Sequence, residues 1–139
     1  MCIRDRDDIS AADARLLLGR TAIIGLSIKT LQQAQEAPLQ HLDYVCIGGV
    51  YETMSKDNPD LPIGAQGLRM IAAAIRKRAP LMPVGAIAGI GESNAAATIA
   101  AGADGVAIIS ALSMTDDPKA AARNMRTVID TALARRGAA

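Results

Sequence analysis

The sequence contains no phenylalanine or tryptophan, and its two aromatic side chains are Tyr44 and Tyr51. The core must therefore be aliphatic, and the aromatic platforms on which single-stranded nucleic acids stack are not available. The formal net charge of +1 gives no electrostatic reason to expect a nucleic-acid or membrane partner. With 50% hydrophobic and 21% charged residues, the composition is typical of a globular domain.

Cysteine and histidine are also scarce. Cys2 and Cys46 have no metal-ligand spacing, and Cys46 lies in an apolar run, which argues against a disulfide or zinc scaffold. His41 is the only histidine and precedes a predicted strand, so we interpret it as structural and expect no serine–histidine or cysteine–histidine catalysis. No apolar run reaches the ~18 residues of a membrane span. The absence of a secretory signal pattern predicts a cytoplasmic protein.

Short apolar runs alternate with helical patterns along the chain. We predict strands over residues 21–27, 43–48, 83–88 and 104–110, and helices over residues 11–18, 30–40, 64–79, 93–101 and 118–135. Because every strand is nearly continuously apolar, we expect a parallel sheet covered on both faces. The repeated units favour an α/β fold of the TIM (β/α)8 barrel family, here a half-barrel with about four parallel strands and flanking helices. A small doubly wound domain is the alternative.

The predicted elements begin with a helix, and four strands are half of a barrel. The opening residues look unrelated to those that follow. We therefore expect residues 1–6 to be a non-native start and residues 7–139 to be the C-terminal part of a single barrel domain. Residues 42–48 and 103–109 are weakly similar, since each has an aspartate before an apolar run, and this similarity supports repeated strand–helix units.

Small and polar residues follow the predicted strands, at the edge where barrel enzymes keep their active sites. Residues 84–91 and 103–112 stop at glycine and serine, where free backbone N–H groups can bind a phosphate. After the second predicted strand, Thr53 and Ser55 offer hydroxyls and Lys56 a positive charge, a combination suited to phosphate or diphosphate. A solvated loop is the alternative interpretation of this segment.

Two further positions fall at the same predicted edge. Ser27 ends the strand predicted over residues 21–27, although it could instead cap the next helix. Asp7 and Asp8 precede the first predicted helix, where a carboxylate could hold Mg²⁺ together with phosphate oxygens of a substrate. The alternative role of these aspartates is to stabilise the start of that helix.

Taken together, these segments resemble the thiamine-phosphate synthase family. The resembling segments are, in order, Asp8 with Ala14-Arg15, Gly25–Thr30, Asp43–Lys56, Ile87–Ile90 and Gly102–Leu112. The resemblance implies a TIM barrel that transfers the pyrimidine methyl group of a pyrimidine diphosphate to thiazole phosphate, giving thiamine phosphate and diphosphate in thiamine diphosphate biosynthesis. A thiazole tautomerase of the same fold and a non-catalytic phosphate-binding module are the alternatives.

The resemblance also implies a role for each site residue. Ser27 and Lys56 would contact the pyrimidine diphosphate as the catalytic residues, and Asp8 would bind Mg²⁺ as the cofactor. The residues that would contact thiazole phosphate are Thr53, Met54, Ser55, Gly89, Ile109 and Ser110, the last three at its phosphate. The implied partners are these small-molecule substrates, and a homo-oligomer is compatible with the sequence.

Several positions depart from the family pattern. Ala88 stands where the family has a glycine, Lys29 where it has a histidine, and Glu52 where it often has a proline. The family's Gln-x-Arg-x-Lys and Asn-Asp-Asp motifs do not occur in the 139 residues. We therefore expect this chain alone to be an inactive fragment of a transferase.

Overall fold

A five-stranded parallel sheet forms the centre of the protein in a computed structural model that describes residues 2–3, 8–53 and 61–138. Its strands are β1 (Cys2–Ile3), β2 (Gly25–Ile28), β3 (Tyr44–Ile47), β4 (Val84–Ile87) and β5 (Gly105–Ala107). They lie side by side in sequence order, and each neighbouring pair is parallel. The predicted α/β fold is confirmed, but β1 is a fifth strand that the sequence analysis missed because two residues are too few for a periodic pattern.

Helices connect the strands. They are α1 (Ala11–Leu18), α2 (Leu31–Glu36), α3 (Gly64–Arg78), α4 (Glu92–Ala100), α5 (Ser110–Ser113) and α6 (Pro118–Gly137). Within the described ranges, no helix combines the length and the apolar character that crossing a bilayer requires.

Three predicted boundaries are wrong. The helix predicted over residues 30–40 stops at Glu36, because Ala37 precedes a proline and is extended, and a single 3₁₀ turn follows at Leu39–His41. The strand predicted over residues 104–110 ends at Ala107, and Ser110 instead begins α5. The strand predicted over residues 21–27 begins only at Gly25.

The helices cover one face of the sheet. In a parallel sheet whose strands follow sequence order, right-handed crossovers place every connecting helix on the same side. The side chains of Ile28, Val45 and Ala86 on that side are completely buried. On the other side, Ser27 is half-buried and Ala107 is exposed. The expectation that both faces are covered is therefore wrong, and the strand order excludes a doubly wound arrangement for the described residues.

An aspartate joins the amino ends of β2 and β3. The Asp43 N–H donates to the Ile24 carbonyl at 2.8 Å, and the Ile24 N–H donates to the Asp43 carboxylate at 2.7 Å. Arg15 of α1 donates to the same carboxylate at 2.6 Å and also to the carbonyls of Ala22 and His41. We call this arrangement the aspartate clasp, and it fixes α1 to the start of both strands.

The aspartate clasp recurs at the amino ends of β4 and β5. The Asp104 N–H donates to the Val84 carbonyl at 2.6 Å, and the Val84 N–H donates to the Asp104 carboxylate at 2.9 Å. Arg76 of α3 and Arg136 of α6 donate to the two carboxylate oxygens at 2.8 and 2.6 Å. The two similar sequence segments thus form the same hydrogen-bonded arrangement at two places in the sheet.

Both clasp carboxyl groups have a lowered pKa. The Ile24 N–H and then Arg15 lower the pKa of Asp43. For Asp104, partial burial raises the pKa, but the Val84 N–H and the two arginines outweigh it and the net change is a decrease. Because the folded pKa lies below the ordinary value of 3.8, the stabilisation is fully present above about pH 4. It is lost as the pH falls through the folded pKa.

The turn that follows β4, residues 88–91, has an unusual backbone. Ala88 and Gly89 both have positive φ angles, +93° and +63°. Glycine adopts such angles readily, whereas a β-carbon makes them strained. This β4 turn is therefore held in a strained conformation at the position where the sequence departs from the family's glycine.

Replacing Asp104→Asn should destabilise the fold, because the amide keeps one acceptor but loses the charge that attracts two arginines. We expect the free energy of unfolding at pH 7 to fall by about 1–3 kcal/mol, and the loss of stability on acidification below about pH 4 to become smaller. Urea denaturation at pH 7 and pH 3 measures both effects. The matched control is Asp130→Asn, which removes a surface pair with Arg126 and should change stability by less than about 0.5 kcal/mol. Equal effects of the two substitutions would contradict this role.

Replacing Ala88→Gly should stabilise the protein, since glycine relieves the strain at a φ of +93°. We expect a gain of about 1 kcal/mol, after allowance for the greater freedom of glycine in the unfolded chain. Thermal unfolding should show a midpoint raised by about 4 °C. The control Ala73→Gly, at an exposed position inside α3, should instead lower stability by about 1 kcal/mol. A decrease with both variants would show that Ala88 is not strained.

Candidate functional site

A small open cavity lies at the carboxyl ends of β4 and β5. Its lining residues are Thr53, Ile87, Ala88, Gly89, Ile90, Ala107, Ile108, Ile109 and Ser110. Four of the residues predicted from the sequence to bind substrate are among them, namely Thr53, Gly89, Ile109 and Ser110. They come together because parallel strands end at the same edge of a sheet.

Several residues that line this cavity have backbone N–H groups without an acceptor among the described residues. Among the hydrogen bonds of the described residues, none uses the N–H of Gly89, Ile90 or Ile109 as its donor. Ser110 is the first residue of α5, and the first N–H of a helix has no acceptor inside that helix. Two adjacent turns at the cavity thus carry N–H groups without an acceptor among the described residues, and such groups are suited to binding a phosphate.

The segment that follows β3, residues 48–53, packs directly on the β4 turn. A β-carbon on Gly89 would collide with the carbonyl oxygen of Glu52 and would lie 2.8 Å from the Cβ of Tyr51. The Tyr51 N–H also donates to the Ala88 carbonyl at 3.1 Å. Glycine is thus required at this contact, which fixes Glu52 and Thr53 beside the β4 turn.

Asn94 of α4 holds the β4 turn from the helix side. Its Nδ2 donates to the Gly89 carbonyl at 2.9 Å, and its Oδ1 accepts the Gly91 N–H at 2.9 Å. The sequence patterns did not predict a role for this residue. An asparagine three positions after the residue that precedes a helix matches the spacing of a capping interaction, and that spacing was the available signal.

Ser27 does not line the cavity. It is the third residue of β2, which ends at Ile28, and its Oγ lies 3.7 Å from the Sγ of Cys2. The expectation that it ends the strand is wrong, because the ladder extends one residue further. It does not cap α2 either, since Thr30 is the N-cap and forms a capping box with Gln33.

Of the remaining predicted residues, the structure describes only Asp8. Asp8 is exposed and lies between β1 and α1, at the same edge of the sheet as the cavity. The described residues contain no group of three acidic, histidine or cysteine side chains that could hold a metal ion. A single carboxylate nevertheless fits Mg²⁺, which often takes one or two carboxylates and completes its shell with water and substrate phosphate. Asp7, Met54, Ser55 and Lys56 lie outside the described residues.

Cys46 is a buried residue of β3 on the face of the sheet that also carries Ser27. Burial raises the pKa of its thiol to about 11, with a smaller contribution from Cys2. The thiol is therefore protonated at neutral pH, whereas a nucleophilic cysteine reacts as the thiolate.

Comparisons with known proteins place the sequence close to one family. A family model described as thiamine monophosphate synthase matches residues 5–112. A thiamine-phosphate synthase of Agrobacterium fabrum is 49% identical over 127 residues, which cover 91% of this chain and 58% of the relative. The same enzyme of Moorella thermoacetica is 42% identical with the same coverage of each chain.

A solved structure shows the same relationship in three dimensions. The thiamine phosphate pyrophosphorylase of Pyrococcus furiosus superposes with a TM-score of 0.77 at 30% identity, over 95% of this chain and 59% of that one. The chain thus spans somewhat more than half the length of these relatives, and the part it shares with them includes both the β4 turn and the start of α5. On the sequence match and the shared fold together, the chain belongs to the thiamine monophosphate synthase family.

Proposed function

We propose that this chain provides the phosphate-binding part of a thiamine-phosphate synthase. The reaction transfers the pyrimidine methyl group from its diphosphate ester to the thiazole nitrogen of thiazole phosphate, releasing diphosphate. The observation that carries the proposal is the cavity in which Thr53, Gly89, Ile109 and Ser110 meet and in which backbone donors lack acceptors among the described residues. The enzyme would work in the cytoplasm on small molecules.

The phosphate of thiazole phosphate would lie between the β4 turn and the start of α5. The N–H groups of Gly89, Ile90, Ile109 and Ser110 and the Ser110 hydroxyl would donate to its oxygens, and Thr53 would lie on the side nearer the thiazole ring. Binding the phosphate in this way orients the thiazole nitrogen toward the second substrate. Fixed orientation of two reactants is a large part of catalysis for such a transfer.

The pyrimidine diphosphate would bind on the side of the sheet edge toward β2. Ser27 and Lys56 would contact the diphosphate, and Met54 and Ser55 would lie against the thiazole ring. Asp8 would supply one carboxylate to Mg²⁺, and the ion when bound stabilises negative charge on the leaving diphosphate. The Lys56 ammonium would stabilise the same charge as the bond breaks.

No side-chain nucleophile is needed for this reaction. Loss of diphosphate leaves a cation stabilised by the pyrimidine ring, and the thiazole nitrogen supplies the electron pair that forms the new bond. A protonated Cys46 thiol and the position of His41 in the 3₁₀ turn before β3, away from the cavity, suit this chemistry.

Replacing Gly89→Ala should weaken the binding of thiazole phosphate. The new β-carbon would collide with the Glu52 carbonyl and would be strained at a φ of +63°, so the segment after β3 must move. We expect affinity for thiazole phosphate, measured by calorimetric titration, to fall more than about tenfold. The matched control is Gly105→Ala, since a β-carbon there meets no atom within 4 Å. Unchanged affinity in Gly89→Ala would refute the proposed phosphate site.

The transferase activity itself can be tested with a chimera that joins the uncovered part of the Agrobacterium relative to residues 8–139. We expect the chimera to form thiamine phosphate and the chain alone to show negligible turnover. In the chimera, Lys56→Ala should lower kcat by about a hundredfold, since the positive charge that would stabilise the leaving diphosphate is lost. Lys119→Ala, at an exposed position in α6, is the control and should leave kcat unchanged. A chimera that folds and binds both substrates without forming product would contradict the proposed reaction.

A further inference from the structure

The carbonyl groups of the β4 turn are held from two sides. In a trans peptide the carbonyl of one residue and the N–H of the next lie in one plane and point in opposite directions. The Tyr51 N–H binds the Ala88 carbonyl, so the Gly89 N–H of that peptide points away from Tyr51. The Asn94 amide binds the Gly89 carbonyl, so the Ile90 N–H points away from α4.

Asn94 also fixes the next residue of the turn. Its Oδ1 accepts the Gly91 N–H, so one side chain contacts a carbonyl and an N–H two residues apart. These two bonds leave little freedom for the peptide between Gly89 and Ile90. An asparagine can do this because its amide carries a donor and an acceptor on one planar group.

A buried hydroxyl completes the connection to the segment after β3. Thr98 is fully buried, and its hydroxyl donates to the Asn94 carbonyl at 2.9 Å and lies 3.3 Å from the Tyr51 hydroxyl. Since the threonine has one hydroxyl proton, the Tyr51 hydroxyl is the donor in the second bond. Tyr51 therefore reaches the turn through its backbone and α4 through its side chain.

We propose that Asn94 is a positioning residue of the phosphate site: it holds the Gly89 carbonyl toward α4 and so keeps the Gly89–Ile90 peptide with its N–H available to a phosphate. Tyr51 holds the preceding peptide in the same way. This inference rests on the proposed function, because it assumes that a phosphate binds at the β4 turn. Asn94 itself would contact no substrate, but it would determine whether the backbone N–H groups can bind the phosphate.

The test uses the 139-residue chain labelled with ¹⁵N and titrated with thiazole phosphate and, separately, with inorganic phosphate. In the unchanged protein, the amide signals of Gly89 and Ile90 should shift on titration. Asn94→Ala should raise both dissociation constants by about tenfold, since the Gly89 carbonyl loses its hydrogen bond to the Asn94 amide. Ser93→Ala, at the neighbouring exposed position of α4, is the matched control and should bind as the unchanged protein does.

A purely structural role would lower the thermal midpoint of Asn94→Ala without changing the dissociation constant measured well below that midpoint, and this result would overturn the proposal. If Asn94→Ala does not fold, Asn94→Asp keeps the acceptor for Gly91 and removes the donor to Gly89. Unweakened binding in Asn94→Asp would also overturn the proposal. If the amide signals of Gly89 and Ile90 do not shift in the unchanged protein, both the proposed phosphate site and the positioning role of Asn94 are wrong. If Asn94→Ala and the unchanged protein bind equally well, only the positioning role is wrong.

Discussion

The reciprocal pairing of an aspartate with the backbone of the preceding strand is the constraint on which the rest of the structure depends. Asp43 and Asp104 each exchange two hydrogen bonds with the neighbouring strand, and arginines from the helices hold both carboxylates. This pairing sets the register at the amino ends of the strands. A slip of one residue would turn the buried side chains to the opposite face, so the clasps also determine which side chains of the strands face the helices.

A fixed register at one end of the sheet determines what meets at the other end. Because β4 and β5 pair without a bulge, the turn after β4 and the start of α5 lie side by side, and the segment after β3 packs on the first of them. The site is therefore made largely of backbone groups. The clasps lie at the amino ends of the strands and the proposed phosphate site at their carboxyl ends, a division that is general in (β/α)8 barrels.

The sequence predicted the alternation of strands and helices, the bounds of α1, and the meeting of Thr53, Gly89, Ile109 and Ser110. These features depend on local patterns and on where parallel strands end. It did not predict β1, whose two residues are held by pairing with β2, or the break after Glu36. It also missed Asn94, since its role depends on the conformation of Ala88 and Gly89. The similarity of the segments around Asp43 and Asp104 was visible in the sequence. The hydrogen bonds of these aspartates could not be predicted, because they are made with arginines that are distant in the sequence.

A crystal structure of the chain soaked with thiazole phosphate tests the proposed phosphate site most directly. We expect phosphate oxygens within about 3 Å of the backbone nitrogens of Gly89 and Ser110, with the Asn94 amide still bound to the Gly89 carbonyl. A phosphate bound elsewhere, or a β4 turn whose Gly89 carbonyl has rotated into the cavity, would contradict it.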